Sequence, residues 1–185
     1  MRTTLLCASL LCPALASAKV EVLPVQHKTA GRILAVNVSE DIAPGDYETL
    51  LKGIRSNPGQ YAKKIALLDS IGGSVVEAMK MGRLLREAGF DTLVPSSAVC
   101  EGTCVYLLAA GHGKTVRGYV GLHRPYFPGG DSAQANLAAG GAPASPTAYF
   151  QEMNIPLSLV DDMHLIEPSK MRVLSPQELA RYRLN

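Results

Sequence analysis

Between residues 64 and 89 the chain changes its hydrophobic period, and this change constrains the fold more than any other feature. Residues 64–69 (KIALLD) are apolar past the lysine, as in a strand buried on both faces. Ser70-Ile71-Gly72-Gly73-Ser74 then reads as a tight turn. From Val75 onward the period is helical. Val75, Ala78, Met81, Leu85 and Ala88 form one stripe, while Glu77, Lys80, Arg83, Arg86 and Glu87 face away. Gly89 closes the helix as the residue beyond its C-terminus. A strand that feeds an amphipathic helix through two glycines has to bury both parts against a common sheet layer.

The rest of the chain repeats that alternation. Residues 32–38 (RILAVNV) predict a first strand, and residues 46–56 an amphipathic helix closed by Asn57-Pro58-Gly59. Residues 91–95 predict a third strand, residues 102–110 a strongly apolar helix ended by Gly111, and residues 115–123 a fourth strand. Strand-helix-strand order argues for right-handed crossovers and a mostly parallel sheet, hence the α/β class. Residues 128–146 are rich in Gly, Ala and Ser and predict a mobile surface loop. Helical segments are expected near residues 148–153 and 156–166, with a last short strand at 171–174. Ser175-Pro176-Gln177-Glu178 is a helix start, with Ser at N-cap, Pro at N1 and Glu at N3. No internal repeat or second domain is visible, so residues 19–185 are expected to form one domain.

The N-terminus reads as an export signal occupying residues 1–18. Arg2 supplies a positive start, residues 5–15 are apolar apart from Ser9 and Pro13, and Ala16-Ser17-Ala18 is a cleavage site before Lys19. The apolar run is too short to span a bilayer. Leu6 and Leu11 precede Cys7 and Cys12 where a lipid-anchor motif wants a small residue. The expected location is periplasmic or secreted, with no membrane association after cleavage. The formal charge of +2 falls to +1 when Arg2 is lost, and no basic stripe is present, so nucleic acid is not an expected partner. Two cysteines remain, Cys100 and Cys104. In an oxidising compartment the pair reads as a disulfide, with Cα atoms about 6 Å apart if both sit on one helical turn. Two free buried thiols are the alternative. A metal is disfavoured because neither has a further Cys or a His close by in sequence.

Three places carry candidate chemistry. The Gly72-Gly73 turn can offer backbone N–H groups to an anion or a developing oxyanion, or it can be only a turn. Cys100-Glu101-Gly102-Thr103-Cys104 is a small, polar entry to an apolar helix, and His123 ends an apolar strand. No Gly-x-x-x-x-Gly-Lys phosphate loop occurs, and the expectation is no cofactor and no metal.

Taken in order, LLDSIGGSVVEAMKMGRLLREAG, CEGTCVYLLAAG and GYVGLHRPYF resemble the Clp protease proteolytic subunit and its exported bacterial relatives, within the ClpP/crotonase-like superfamily. The closing VLSPQELARYRL is similar to that family's C-terminal pattern, so the resemblance runs from Arg32 to Leu184. It implies a mostly parallel sheet with stacked ββα units and a serine-peptidase triad. By position, Gly73 beside Gly72 would be the oxyanion glycine, Thr103 the second backbone N–H, His123 the general base and Gly102 the nucleophile.

Glycine has no side chain with which to attack. Thr103 is a weak rescue candidate, because one step along a helix start turns it about 100° away. Cys104 would be a nucleophile only if unpaired, and Ser96 and Ser97 read as loop or capping residues. The family's acid falls in residues 169–173 (SKMRV), which hold no carboxylate; Asp161, Asp162 and Glu167 are the nearest. The implied function is a periplasmic ClpP-like protein with a degenerate triad that binds a peptide or partner protein in its groove. The alternatives are a hydrolase with a non-standard nucleophile, crotonase-type polarisation of a thioester by an oxyanion hole alone, and a purely structural assembly subunit. The family commonly forms rings, so a homo-oligomer is an open expectation.

Overall fold

Strand β2 (Gly31–Ile42) shows why the chain begins as a sheet: Leu34, Val36 and Val38 alternate inward while Ala35, Asn37 and Ser39 point to the other face. The computed structural model describes residues 19–125 and 145–185. The expected signal at residues 1–18 and residues 128–144 of the expected loop lie outside the described residues. Ser145 and Pro146 do not belong to that loop, because they are the N-cap and first residue of a helix.

A strand not anticipated from sequence, β1 (Lys19–His27), precedes β2 and pairs with it antiparallel from Lys19↔Ser39 to His27↔Gly31. Pro24 sits in its middle and lacks the N–H a central strand would need, which suits β1 to the margin of the sheet. His27 closes the hairpin by accepting the Thr29 and Ala30 N–H groups at Nδ1.

Strand β3 (Lys63–Gly73) runs parallel to β2 from Ile33↔Lys63 to Ile42↔Gly73. Its other edge is shared by two strands. Residues Ile65 to Leu67 pair with β4 (Asp91–Val94), and Ser70 pairs with β5 (Val99–Glu101). Beyond β4 lies β6 (Lys114–Val116). Beyond β5 lie β7 (Tyr119–Leu122) and, antiparallel to it, β8 (Arg172–Val173). The result is a mixed, mostly parallel sheet of eight strands in an α/β protein.

Four expectations about the strands and the entry to the apolar helix change. The Gly72-Gly73 stretch is extended strand still paired to β2, because β2 continues past a bulge at Ser39/Asp41 and supplies it with a partner; the chain turns only at Ser74. Strand β3 is not buried on both faces: Ala66, Leu68 and Ser70 are buried, while Ile65 and Leu67 are half-buried and Asp69 and Ile71 exposed. The expected strand at 115–123 is two strands. Arg117 and Gly118 both donate to the Val94 carbonyl, and a Cβ on Gly118 would lie 2.2 Å from the Ala98 carbonyl oxygen, so the chain bends there from one branch to the other. The apolar helix starts at Cys104 rather than Gly102, because Gly102 sits at φ 54, outside helical space.

The helices among the described residues are α1 (Asp46–Ser56), α2 (Val75–Glu87), α3 (Cys104–Ala110), α4 (Pro146–Glu152), α5 (Ser158–His164) and α6 (Pro176–Arg181). No helix among the described residues is long and apolar enough to cross a membrane. All seven residues of α3 are buried. Glu77, expected on the outward stripe of α2, is buried instead. Its carboxylate accepts the Gly45 and Tyr47 N–H groups, both at 2.9 Å, at the start of a helix that has no side-chain cap of its own. Asp46 beside it accepts from Ala43, and burial raises its pKa.

Helix α6 carries the expected capping box. The Ser175 N–H and hydroxyl, with Arg172, hold the Glu178 carboxyl down to about 2, well below its ordinary 4.5. That carboxylate supports folding above pH 4.5, and its contribution is lost as pH falls toward 2.

Rings of Tyr106, Tyr149 and Phe150 pack together where α3 meets α4, with centroids 4.6 to 5.6 Å apart. The Tyr149 hydroxyl reaches across α2 to donate to the Tyr106 carbonyl at 2.7 Å. This path exists because residue 82 is glycine: a Cβ there would lie 1.9 Å from the Tyr149 oxygen. Arg83 covers the same ring and pairs with Glu152 at 2.7 Å, fixing α4 to α2. Gly82→Ala should therefore destabilise the fold by about 1–3 kcal/mol in urea unfolding. Adding Tyr149→Phe should recover part of that loss; equal stability of Gly82→Ala and wild type would refute the packing account.

Candidate functional site

Strand β5 ends at Glu101, and its neighbour β7 ends at Leu122; with Glu101 in register with Gly121, the next residues of the two strands emerge side by side. These are Gly102 and His123. Gly102 N–H donates to the Gly121 carbonyl at 3.0 Å, and its own carbonyl accepts from Val105 at 3.2 Å. A Cβ built on Gly102 would lie 2.4 Å from His123 Nε2 and 3.0 Å from Cε1. The imidazole edge thus rests against the glycine. Any side chain at residue 102 meets both this ring and the left-handed φ of 54°.

The histidine is oriented by backbone. Its Nδ1 lies 2.9 Å from the Arg124 carbonyl oxygen, and the Arg124 N–H in turn donates to the Ile166 carbonyl just beyond α5. A carbonyl can only accept, so Nδ1 carries the proton in the neutral ring and Nε2 presents its lone pair toward Gly102. The hydrogen bond that positions the ring is to a backbone carbonyl, not to a carboxylate. Among the three acids nearest in sequence to the expected position, Asp162 binds Arg181 and Tyr182, Glu167 pairs with Lys170 at 3.2 Å, and Asp161 is exposed.

Gly72 and Thr103 meet behind the same turn. A Cβ on Gly72 would lie 2.8 Å from Thr103 N and 3.2 Å from Thr103 Oγ1, so the end of β3 backs directly onto residue 103. Gly72 N–H itself donates to the Ser70 hydroxyl at 3.1 Å. Gly73 makes its close approach elsewhere, because a Cβ there would lie 2.2 Å from the Ile42 carbonyl oxygen on β2. Thr103 is 3 % exposed, and its Oγ1 has no hydrogen-bond partner among the described residues. That hydroxyl is turned in against β3. Ser96 and Ser97 are exposed in the loop before β5.

Cys100 and Cys104 form a disulfide, with Cα atoms 5.2 Å apart and both residues fully buried. The bridge joins β5 to the first residue of α3 rather than lying within one helical turn, and it occupies the thiol that Cys104 would need as a nucleophile. Among the described residues no group of three or more His, Cys, Asp or Glu could hold a metal ion.

A feature not foreseen from sequence is a cleft of about 330 Å³ where the partner of β3 changes from β4 to β5. Asn37, Ser39, Asp69, Pro95 and Ser97 are among its lining residues. It depends on β1 and on the loop after β4, and neither leaves a distinctive sequence signal.

No protein-family model matches the chain, and no curated protein matches it. The Gly102–His123 contact is tested by a double-mutant cycle of Gly102→Ala and His123→Ala. Gly102→Ala alone carries both backbone strain and the clash with the ring, whereas in the His123→Ala background only the strain remains. Urea unfolding should give a coupling of about 0.5–3 kcal/mol, and strictly additive effects would show that the ring does not rest on the glycine.

Proposed function

We propose that this is an exported ClpP/crotonase-like protein whose peptidase triad is degenerate and whose groove binds a peptide or partner protein without cleaving it. The observation that carries the reading is the 2.4 Å approach of His123 Nε2 to the Cβ position of Gly102. An acceptor nitrogen is oriented as a general base would be, and the residue it faces is one that cannot supply a nucleophile. The order of the three motifs along β3, α3 and β7, and the mostly parallel sheet that unites them, support the superfamily assignment.

Loss of the nucleophile removes covalent catalysis but leaves binding surfaces able to operate. A backbone carbonyl at Nδ1 orients the ring, yet it lacks the charge with which a carboxylate would stabilise the imidazolium formed during proton transfer. The hydrolase alternative needs another nucleophile beside Nε2, and neither rescue candidate fits among the described residues: the Thr103 hydroxyl is buried against Gly72 and Cys104 is in a disulfide. The disulfide and the signal-like residues 1–18 support a periplasmic or secreted location.

The test combines a fluorophosphonate probe with peptide binding on the mature protein. The expected outcome is no covalent labelling, together with peptide-induced NMR shifts at His123 and Gly102. Labelling abolished by changing a single Ser or Thr would overturn the non-catalytic reading, and failure of a diverse peptide pool to shift either residue would overturn the binding reading.

A further inference from the structure

Helix α3 begins without the usual local support. Its N-cap residue, Thr103, makes no side-chain capping bond, and the hydroxyl that could have made one is buried without a partner. The residue before it is a glycine at φ 54, the residue type with the greatest backbone freedom. The helix has only seven residues, so it cannot fix its own first turn by length. What spans this weak point is covalent. The Cys100–Cys104 bridge encloses Glu101, Gly102 and Thr103, and so closes a small ring around the turn that faces His123 and backs onto Gly72.

We infer that this disulfide is a redox-sensitive clamp: when closed it holds Gly102 and Thr103 in place between His123 and Gly72, and when reduced it releases that turn while the rest of the domain stays folded. The release is local because the anchors on either side are independent of the bridge. Cys100 is held in the sheet by pairing with Ser70 and Val120, and Val105 to Ala110 are fixed by complete burial. Between these anchors the turn keeps the Gly102-to-Gly121, Val105-to-Gly102 and Tyr106-to-Thr103 hydrogen bonds, each a modest net contribution. Ordering a freed glycine costs a comparable amount. The reaction is ordinary thiol–disulfide exchange. A dithiol such as dithiothreitol attacks one sulfur, the S–S bond breaks, Cys100 and Cys104 gain two electrons and two protons, and the dithiol closes to its own disulfide. Since both cysteines are buried, the exchange proceeds through transient opening of this same turn. The inference stands on the geometry of the turn and does not rest on the ligand-binding reading.

Amide hydrogen exchange on the mature chain tests it, comparing oxidised protein, protein reduced with dithiothreitol and alkylated at the thiols, and Cys100→Ala/Cys104→Ala. Exchange at Gly102 and Val105 should quicken by about tenfold or more when the bridge is open. Protection at Val36 and Leu68, in the β2–β3 ladder, should stay unchanged, and the nuclear Overhauser contact between Gly102 Hα and the His123 ring should vanish. Unchanged exchange at Gly102 and Val105 in the reduced protein would overturn the inference. So would loss of protection at Val36 and Leu68 in step with the turn, since the bridge would then hold the whole domain. If the double variant does not fold, the reduced and alkylated wild type decides between these outcomes.

Discussion

The parallel ladder between β2 and β3 organises the molecule. It runs unbroken in direction, with one bulge, from Ile33↔Lys63 to Ile42↔Gly73. With one edge of β3 committed to β2 over that length, the other edge is shared, first by β4 and then by β5. Each of these carries its own neighbour outward, β6 on one branch and β7 on the other. A cleft opens where the branches part, and the ends of β5 and β7, on one branch, bring Gly102 and His123 together.

That ladder explains what was legible beforehand. The stripe Val75, Ala78, Met81 and Leu85 is the buried face of α2, because a helix packed on a sheet must repeat its apolar residues at helical spacing. Helix α6 was legible from Ser175, Pro176 and Glu178, whose capping chemistry is local. Features that depend on a distant partner were not. Ser70 to Gly73 carry the residues of a turn but stay extended, because β2 reaches Ile42 and offers them a ladder. Glu77 lies on the polar side of its helix by spacing, and becomes buried because the start of α1, without a cap, needs an acceptor. Strand β5, with three residues, is a strand only because Cys100 finds Ser70 and Val120 on either side.

The candidate site divides along the same line. The cysteine pair was legible as a disulfide, and ordered motifs suggested that Gly102, Thr103, Gly72 and His123 would meet. The structure brings these four together around one turn, and joins Gly73 to β2 instead. What no spacing could give is the direction of the histidine. The Arg124 carbonyl, itself held through the Ile166 carbonyl, sets the ring so that its basic nitrogen ends on a bare Cα. A side chain at residue 102 would contest the space the ring occupies, so the glycine and the histidine are fitted to each other. On the proposed reading, this fit is what would make the triad degenerate.

That fit is open to direct observation. Long-range ¹H–¹⁵N correlation of the His123 imidazole, with nuclear Overhauser contacts to Gly102 Hα, reports the tautomer and the proximity together. The account predicts that the neutral form of the ring carries its proton on Nδ1, with Nε2 unprotonated, and that the ring edge makes a close contact with Gly102. A neutral ring protonated at Nε2, or one with no contact to Gly102, would contradict it.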